Sequence, residues 1–273
     1  MQGQDTKIEI INFDLYHKGE IGINANLITT ESVVKNYVPK QIRDEIPTLN
    51  RMGYMKIDID PFSQEYIEYS SSIDFPVLEL GCAYGAVVQK VLEKGGKIIA
   101  NDLSKEHLSI LFQQTPKRFL ENLYLYPGAF PNEIDIPNES LGAVLTARMF
   151  HFLDGAIIQH GLDKIYKWLV PNGKLFFIVV TPYHAAIRDG FLSVYQERVE
   201  SDIKWPGVIK NQWEINPDHK EYVPPYLHVF DIPELQELLP KHGLKIDKIK
   251  LFDYPNDVDS GNKGHVGLIA TKV

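Results

Sequence analysis

The sequence predicts an α/β fold of the doubly wound kind: a seven-stranded sheet, mostly parallel with an antiparallel last strand, helices on both faces, a helical extension before it and an inserted lid. Three stretches carry that reading. Residues 76–102 run as strand, glycine-containing turn, amphipathic helix and second strand, which is one βαβ unit. Residues 141–147 are nearly all apolar, as a strand covered on both faces must be. Residues 244–252 and 266–273 are strand-like runs joined by a polar loop too short for a crossover helix, so they must pair antiparallel.

In chain order, residues 1–75 read as a helical extension, with an apolar run at 8–13, a helix-like segment at 31–37 and a helix over 61–70. Asp60 before Pro61 is an N-cap with a first-turn proline, and Phe62, Tyr66, Ile67 and Tyr69 make an apolar stripe behind it. The core spans 76–181. Val77, Leu78 and Leu80 form a short strand that ends at Gly81, and Val87, Val88, Val91 and Leu92 then recur at helical spacing until Gly95 and Gly96 stop the helix. Ser104 caps a helix through Gln114, residues 122–126 are a third strand, and the 141–147 strand leads into Arg148, Met149, Phe150 and His151. Asp154 opens a helix with Ile158, Leu162, Ile165 and Leu169 on one face, Pro171-Asn172-Gly173 is a turn, and 174–181 is a fifth strand. Residues 182–230 break the βα rhythm with aromatic residues, histidines and prolines. We read them as a lid over an organic acceptor, although a structural cap or a homodimer surface would have the same composition. Asp231 and Glu234 form a capping box, and residues 231–273 complete the core with a helix and a β-hairpin.

The turn after the first core strand is where a ligand should sit. Gly81 and Gly85 admit positive φ and, lacking Cβ, let backbone N–H groups approach a ligand at a helix start. Asp102 ends the next strand, twenty-one residues after Gly81, the spacing at which a carboxylate meets a ribose. A dinucleotide fingerprint would need glycine where Ala83 and Ala86 stand, which disfavours pyrophosphate. Glu79, two residues before Gly81, would also repel a pyrophosphate but suits a cationic ligand.

The pattern Glu79-x-Gly81-x-Ala83-x-Gly85 resembles motif I of class I S-adenosylmethionine-dependent methyltransferases, with only the middle glycine changed to alanine. The resemblance extends over 76–181, where 147–153 resembles motif IV, and over 231–273. It implies S-adenosylmethionine as cofactor, held by Glu79, Gly81, Cys82, Ala83, Gly85, Asp102 and Leu103, by Gly128, Ala129 and Phe130 around the adenine, and by Ala147 and Arg148 beside the reacting centre. The Gly-Asp pair that many members place at the adenine is Gly128-Ala129 here, so that contact is not carried over; the flat face of Phe130 could replace it, unless Phe130 is core. Segments before motif I often close over the cofactor in such enzymes, which makes Tyr16, His17, Tyr54 and Met55 candidates.

Composition narrows the partner. With 36 acidic against 28 basic residues and no basic cluster, the chain suits neither a nucleic-acid duplex nor an anionic membrane, which leaves a small-molecule substrate. The single Cys82 forms no internal disulfide, no signal-like or membrane-spanning run is present, and the expected compartment is cytoplasmic. His151 and His184 are the candidate catalytic bases, and Tyr16, His17, Tyr183, Trp205, Trp213 and Tyr226 the candidate acceptor contacts. No His or Cys pair has zinc spacing and residues 147–149 lack a carboxylate, so no metal is expected. The rival readings are a nicotinamide-dependent oxidoreductase and a non-catalytic cofactor-binding protein of the same fold.

Overall fold

The computed structural model describes residues 4–13, 21–29 and 32–273. Ahead of the core lie β1 (Gln4–Ile10), β2 (Ile23–Asn24), β3 (Ser32–Val38), β4 (Glu45–Pro47), β5 (Tyr54–Lys56) and α1 (Pro61–Ser70). The helical extension expected here is therefore mostly strand. Residues 32–38 are extended and pair antiparallel with β1, from Gln4 opposite Val38 to Ile10 opposite Ser32. Val33, Val34 and Tyr37 favour extended backbone, and the pairing partner lies too far back for local periodicity to reveal it. α1 forms as expected: the Asp60 carboxylate accepts from the Phe62 and Ser63 N–H groups at 2.8 and 2.9 Å.

The core continues with β6 (Val77–Leu80), α2 (Ala86–Glu93), β7 (Ile98–Asp102), α3 (Lys105–Gln114), β8 (Leu123–Pro127), β9 (Leu141–Ala147), α4 (Gly155–Trp168) and β10 (Leu169–Val180). β6 to β10 are mutually parallel, ordered β10-β9-β6-β7-β8. The expected turn at 171–173 is absorbed into the start of β10 as an irregularity, with a register shift between Leu169 and Lys174 and Asn172 at φ +65°. After the inserted segment come α6 (Ile232–Lys241), β13 (Leu244–Phe252) and β14 (His265–Lys272). β14 lies antiparallel between β10 and β13, giving the seven strands expected. The two-residue β2 adds an eighth, antiparallel to β8.

Each face of the sheet carries its own apolar layer, and β10 alternates between them. Phe176 and Ile178 join Phe62, Val88, Val91 and Leu111 from α1, α2 and α3. Leu175, Phe177 and Val179 join Ile158, Leu162, Trp168 and Leu239 from α4 and α6. The insertion, 182–230, contains α5 (Arg188–Glu200) and the paired β11 (Val208–Ile209) and β12 (Leu227–His228), around a cluster that includes Phe191, Ile209 and Val229. The chain winds outward from β6 through β7 to β8 and returns to β9 on the other side. This switch point opens a crevice between the ends of β6 and β9, at Gly81 and Arg148.

Candidate active site

The turn after β6 is backbone in left-handed conformations, with Gly81 at φ +72°, Ala83 at +47° and Gly85 at +83°. The Gly81 and Cys82 N–H groups donate to the Asn101 carbonyl at 3.0 and 2.9 Å, which fixes the turn against β7. A Cβ on Gly81 would stand 2.9 Å from Met149 Cγ, so only glycine leaves room between the two strand ends. Cys82 is buried, and that burial pushes its thiol well up, so its part is in backbone and packing rather than reactivity.

Asp102 is a hub. Its Oδ2 accepts the Ala83 N–H at 2.9 Å, and its Oδ1 accepts the Ser104 N–H at 2.8 Å and His107 Nδ1 at 3.0 Å. His107 Nε2 in turn accepts the Leu49 N–H at 3.1 Å, which places the ring proton on Nδ1. One carboxylate thus organises the turn and, through His107, fastens residues near 49 to the core. Oδ2 keeps a free lone pair, so the carboxylate can still take a ligand hydroxyl. Glu79 differs. It is 5% exposed, its Oε2 has no hydrogen-bond partner among the described residues, and burial, reinforced by the Asp102 charge, raises its carboxyl to about 8.

A cavity of about 220 Å³ lies over this turn, bordered by Glu79, Gly81, Asp102, Leu103, Gly128 and Phe130. A second, of about 350 Å³, adjoins it and shares Met52, Tyr54, Lys56, Arg148 and Phe152. Arg148 holds the boundary at φ +58°: its N–H donates to the Ile178 carbonyl at 2.8 Å and its guanidinium to the Tyr54 carbonyl. Lys56 is buried among Glu45 at 2.8 Å and Asp44 and Asp257, both at 3.3 Å.

Residues 77–173 match the protein family described as methyltransferase domain. These residues resemble a methyltransferase domain in sequence and have the Rossmann-like fold of class I methyltransferases. The fold recurs in solved structures of S-adenosylmethionine-dependent methyltransferases from Methanosarcina mazei (TM-score 0.59, 16% identity, 79% of this chain and 99% of that one) and Mesorhizobium loti (0.58, 14%, 77% and 96%). It recurs also in the Burkholderia thailandensis 1,6-didemethyltoxoflavin-N1-methyltransferase, solved with 1,6-didemethyltoxoflavin and S-adenosylhomocysteine (0.55, 18%, 78% and 79%). At such identities the likeness is one of fold. No curated protein matches the chain.

Within the matched stretch, the residues expected around the cofactor from Glu79 to Arg148 nearly all border the first cavity, Gly85 excepted; its Cβ would meet Leu111 at 2.4 Å, so it serves helix packing. Leu103 is 53% exposed, an apolar side chain with a free face at the cavity rim. Two expectations around the adenine change. Phe130 is 9% exposed and packs on Phe150 and Trp168, with ring centroids 5.6 and 6.1 Å away, so most of it is core. The Ala129 N–H is already bonded to Glu133 Oε2 at 2.8 Å.

The acceptor side departs further. Tyr16 and His17 lie outside the described residues. Tyr183 and Trp205 border a separate cavity beside α6, where the Tyr183 hydroxyl donates to Asp231. Trp213 Nε1 donates to the Val223 carbonyl at 3.0 Å, and the Tyr226 hydroxyl reaches the Leu153 carbonyl at 3.5 Å; neither borders the two adjoining cavities. All four lie outside the two adjoining cavities, and the hydroxyl and indole bonds of Tyr183, Trp213 and Tyr226 tie the insertion to itself and to the core. His151 and His184 both line the second cavity, and His151 Nδ1 is buried without a hydrogen-bond partner among the described residues. Burial, with the neighbouring Arg148 charge, lowers His151 to about 3. His184 Nδ1 accepts the Ala186 N–H at 3.2 Å, which leaves the proton on Nε2, 3.7 Å from Asp257 Oδ2. Asp44, Glu45, Lys56, Asp257 and His265 escaped the sequence reading, because charges scattered over strands and loops two hundred residues apart carry no spacing signal.

Proposed function

We propose that this protein is an S-adenosylmethionine-dependent methyltransferase, that residues 79–103 hold the cofactor, and that the second cavity holds a small organic acceptor. The observation that carries this is the unpartnered, buried Glu79 Oε2 over a glycine turn that a Cβ would fill. A carboxyl raised to about 8 is held at a cost to folding, and a cationic amino-acid moiety brought against it would recover that cost. Asp102 Oδ2 has capacity for a ribose hydroxyl, and Leu103 offers an apolar flank for a base. The cofactor, when bound, supplies an electrophilic methyl group on a sulfonium.

The chain's own contribution is placement, which in reactions of this kind provides most of the acceleration. Met52 and Arg148 form the shared wall between the cavities, and Tyr54 and Phe152 narrow it, so that acceptor and donor meet end to end. His151 serves as a neutral hydrogen-bonding partner; a ring nitrogen lowered to about 3 is a poor base. Arg43, Lys56 and Arg148 balance Asp44, Glu45 and Asp257 around the second cavity, which suits a polar acceptor without a large net charge. The insertion contributes Ile187, Gln212, His219 and Leu227 to that cavity, in support of its role as a lid.

Calorimetry tests the reading. S-adenosylmethionine and S-adenosylhomocysteine should bind one per chain at micromolar concentrations and NAD should not; NAD binding with neither of the other two would return the oxidoreductase. Binding without turnover on a broad panel of small polar metabolites would favour the non-catalytic alternative.

A further inference from the structure

We infer that the second cavity contains a binding site for a divalent transition-metal ion, built from His184, Asp257 and His265. One ring nitrogen from each histidine and one oxygen of Asp257 lie within 4.8 Å of one another. The set is two imidazoles and one carboxylate, which suits zinc, cobalt(II) or iron(II) better than magnesium. All three residues border the cavity, so the positions not filled by protein would face the space proposed for the acceptor.

Two further observations point to a ligand. His265 is 2% exposed, and its Nδ1 is buried without a hydrogen-bond partner among the described residues. Its ring stands at 90° to that of His184, centroids 5.2 Å apart, an edge-to-face contact that keeps the two imidazoles adjacent. A buried imidazole nitrogen left unpaired calls for an occupant. The gap between His184 Nε2 and Asp257 Oδ2 is 3.7 Å. That is too long for a hydrogen bond and near the ligand-to-ligand edge of roughly 3.4 Å around a tetrahedral ion with bonds of about 2.1 Å.

The surroundings can adapt to the ion. Asp257 Oδ1 accepts the Val258 N–H at 2.8 Å, which holds the carboxylate in place and leaves Oδ2 as the ligand atom. Lys56, 3.3 Å from Oδ2, keeps Glu45 at 2.8 Å and Asp44 at 3.3 Å when Asp257 turns to the metal. Metal on His184 Nε2 requires its proton to move to Nδ1, with loss of the 3.2 Å contact from Ala186. The ion would take an oxygen or nitrogen atom of the acceptor into an open position. The substrate class is therefore a chelating molecule, such as one with adjacent hydroxyl and carbonyl groups. This role rests on the methyltransferase reading; the metal site itself does not.

The test is titration of the chelator-treated full chain with Zn²⁺ by calorimetry and with Co²⁺ by visible absorption, alongside a titration with S-adenosylhomocysteine. The expected result is one high-affinity equivalent, a cobalt spectrum of mixed nitrogen and oxygen ligands, and at least tenfold weaker binding in His265→Gln and Asp257→Asn. Absence of binding below millimolar metal, or unchanged affinity in both variants, overturns the site. Should the variants fold poorly, anomalous diffraction from zinc-soaked wild-type crystals decides: a peak among the three side chains supports the site, and its absence there overturns it. Metal binding without S-adenosylhomocysteine binding would count against the methyltransferase reading alone, and the converse against the metal alone.

Discussion

Glu79 shows how one residue trades stability for a ligand. In the empty cavity its carboxyl stays protonated to about pH 8, whereas in the unfolded chain it ionises near 4.5. Its folded-state value is raised, so its contribution to stability is full at low pH and is lost as pH rises from 4.5 towards 8. Glu79→Gln should therefore unfold at nearly the wild-type denaturant concentration at pH 4.5 and at a distinctly higher one at pH 8. The same variant should bind S-adenosylhomocysteine about 10- to 100-fold more weakly, in line with about 1.5–3 kcal/mol for a charged hydrogen bond. Wild-type binding near pH 7 should release a proton that the variant does not, read from calorimetry in buffers of different ionisation enthalpy. Unchanged affinity with unchanged proton release would remove Glu79 from the site. Ala83 makes the opposite trade: at φ +47° it occupies backbone where a Cβ costs about 1–2 kcal/mol. Ala83→Gly should stabilise the protein by up to about 1 kcal/mol, because the glycine's added freedom when unfolded offsets part of the relief. A lower melting temperature would contradict this account of the turn.

At the scale of elements, the first cavity was legible in the sequence and the second was not, for one physical reason. Gly81, Ala83, Gly85 and Asp102 sit on one βαβ unit, and local spacing alone brings them together. Lys56 and Asp257 meet at 3.3 Å across the whole fold, and His184 joins them from the insertion; no period in the sequence records such meetings. For the same reason residues 32–38 read as helix although they pair with β1, and the aromatic residues of 182–230 expected at the acceptor lie outside both adjoining cavities. His107 was missed as well, although it couples two elements by linking Asp102 to the Leu49 backbone. His107→Ala should leave the sheet intact, accelerate amide hydrogen exchange around residues 48–52, and weaken cofactor binding about tenfold, worth about 1.4 kcal/mol. Exchange as slow as in the wild type would show that this loop is fastened elsewhere. Asp102→Ala removes an acceptor from three donors at once, so its expected effect is on folding as much as on binding.

The whole molecule buries titratable groups of both kinds, some at the switch point and some beneath the insertion and α6, and its stability should record them. His151 and His228 are lowered to about 3 and about 4, and His265 is lowered too, chiefly by burial. Depressed values of this kind contribute stability that is present above pH 6.5 and lost as pH falls. Glu79, at about 8, and Glu234, at about 7, act in the other direction and lose stability as pH rises above 4.5. Three histidines outweigh two carboxyls below the histidine midpoint, and the carboxyls act alone above it. The urea midpoint of the ligand-free protein should thus peak near about pH 6.5 and fall on both sides. A midpoint that climbs steadily to pH 8 would contradict the burial assigned to the two carboxyls. The antiparallel pairing of β13 with β14 was legible in the brief loop between them, and the buried strand β9 in its apolar run, whereas the order of the strands was not. The most direct measurement of the central claim is a crystal structure of the protein with S-adenosylhomocysteine. The account predicts density with the amino-acid end at Glu79 and Gly81, the ribose at Asp102 and the sulfur directed past Arg148 towards the second cavity. An empty crevice at saturating ligand, or a ligand whose sulfur faces away from that cavity, would contradict it.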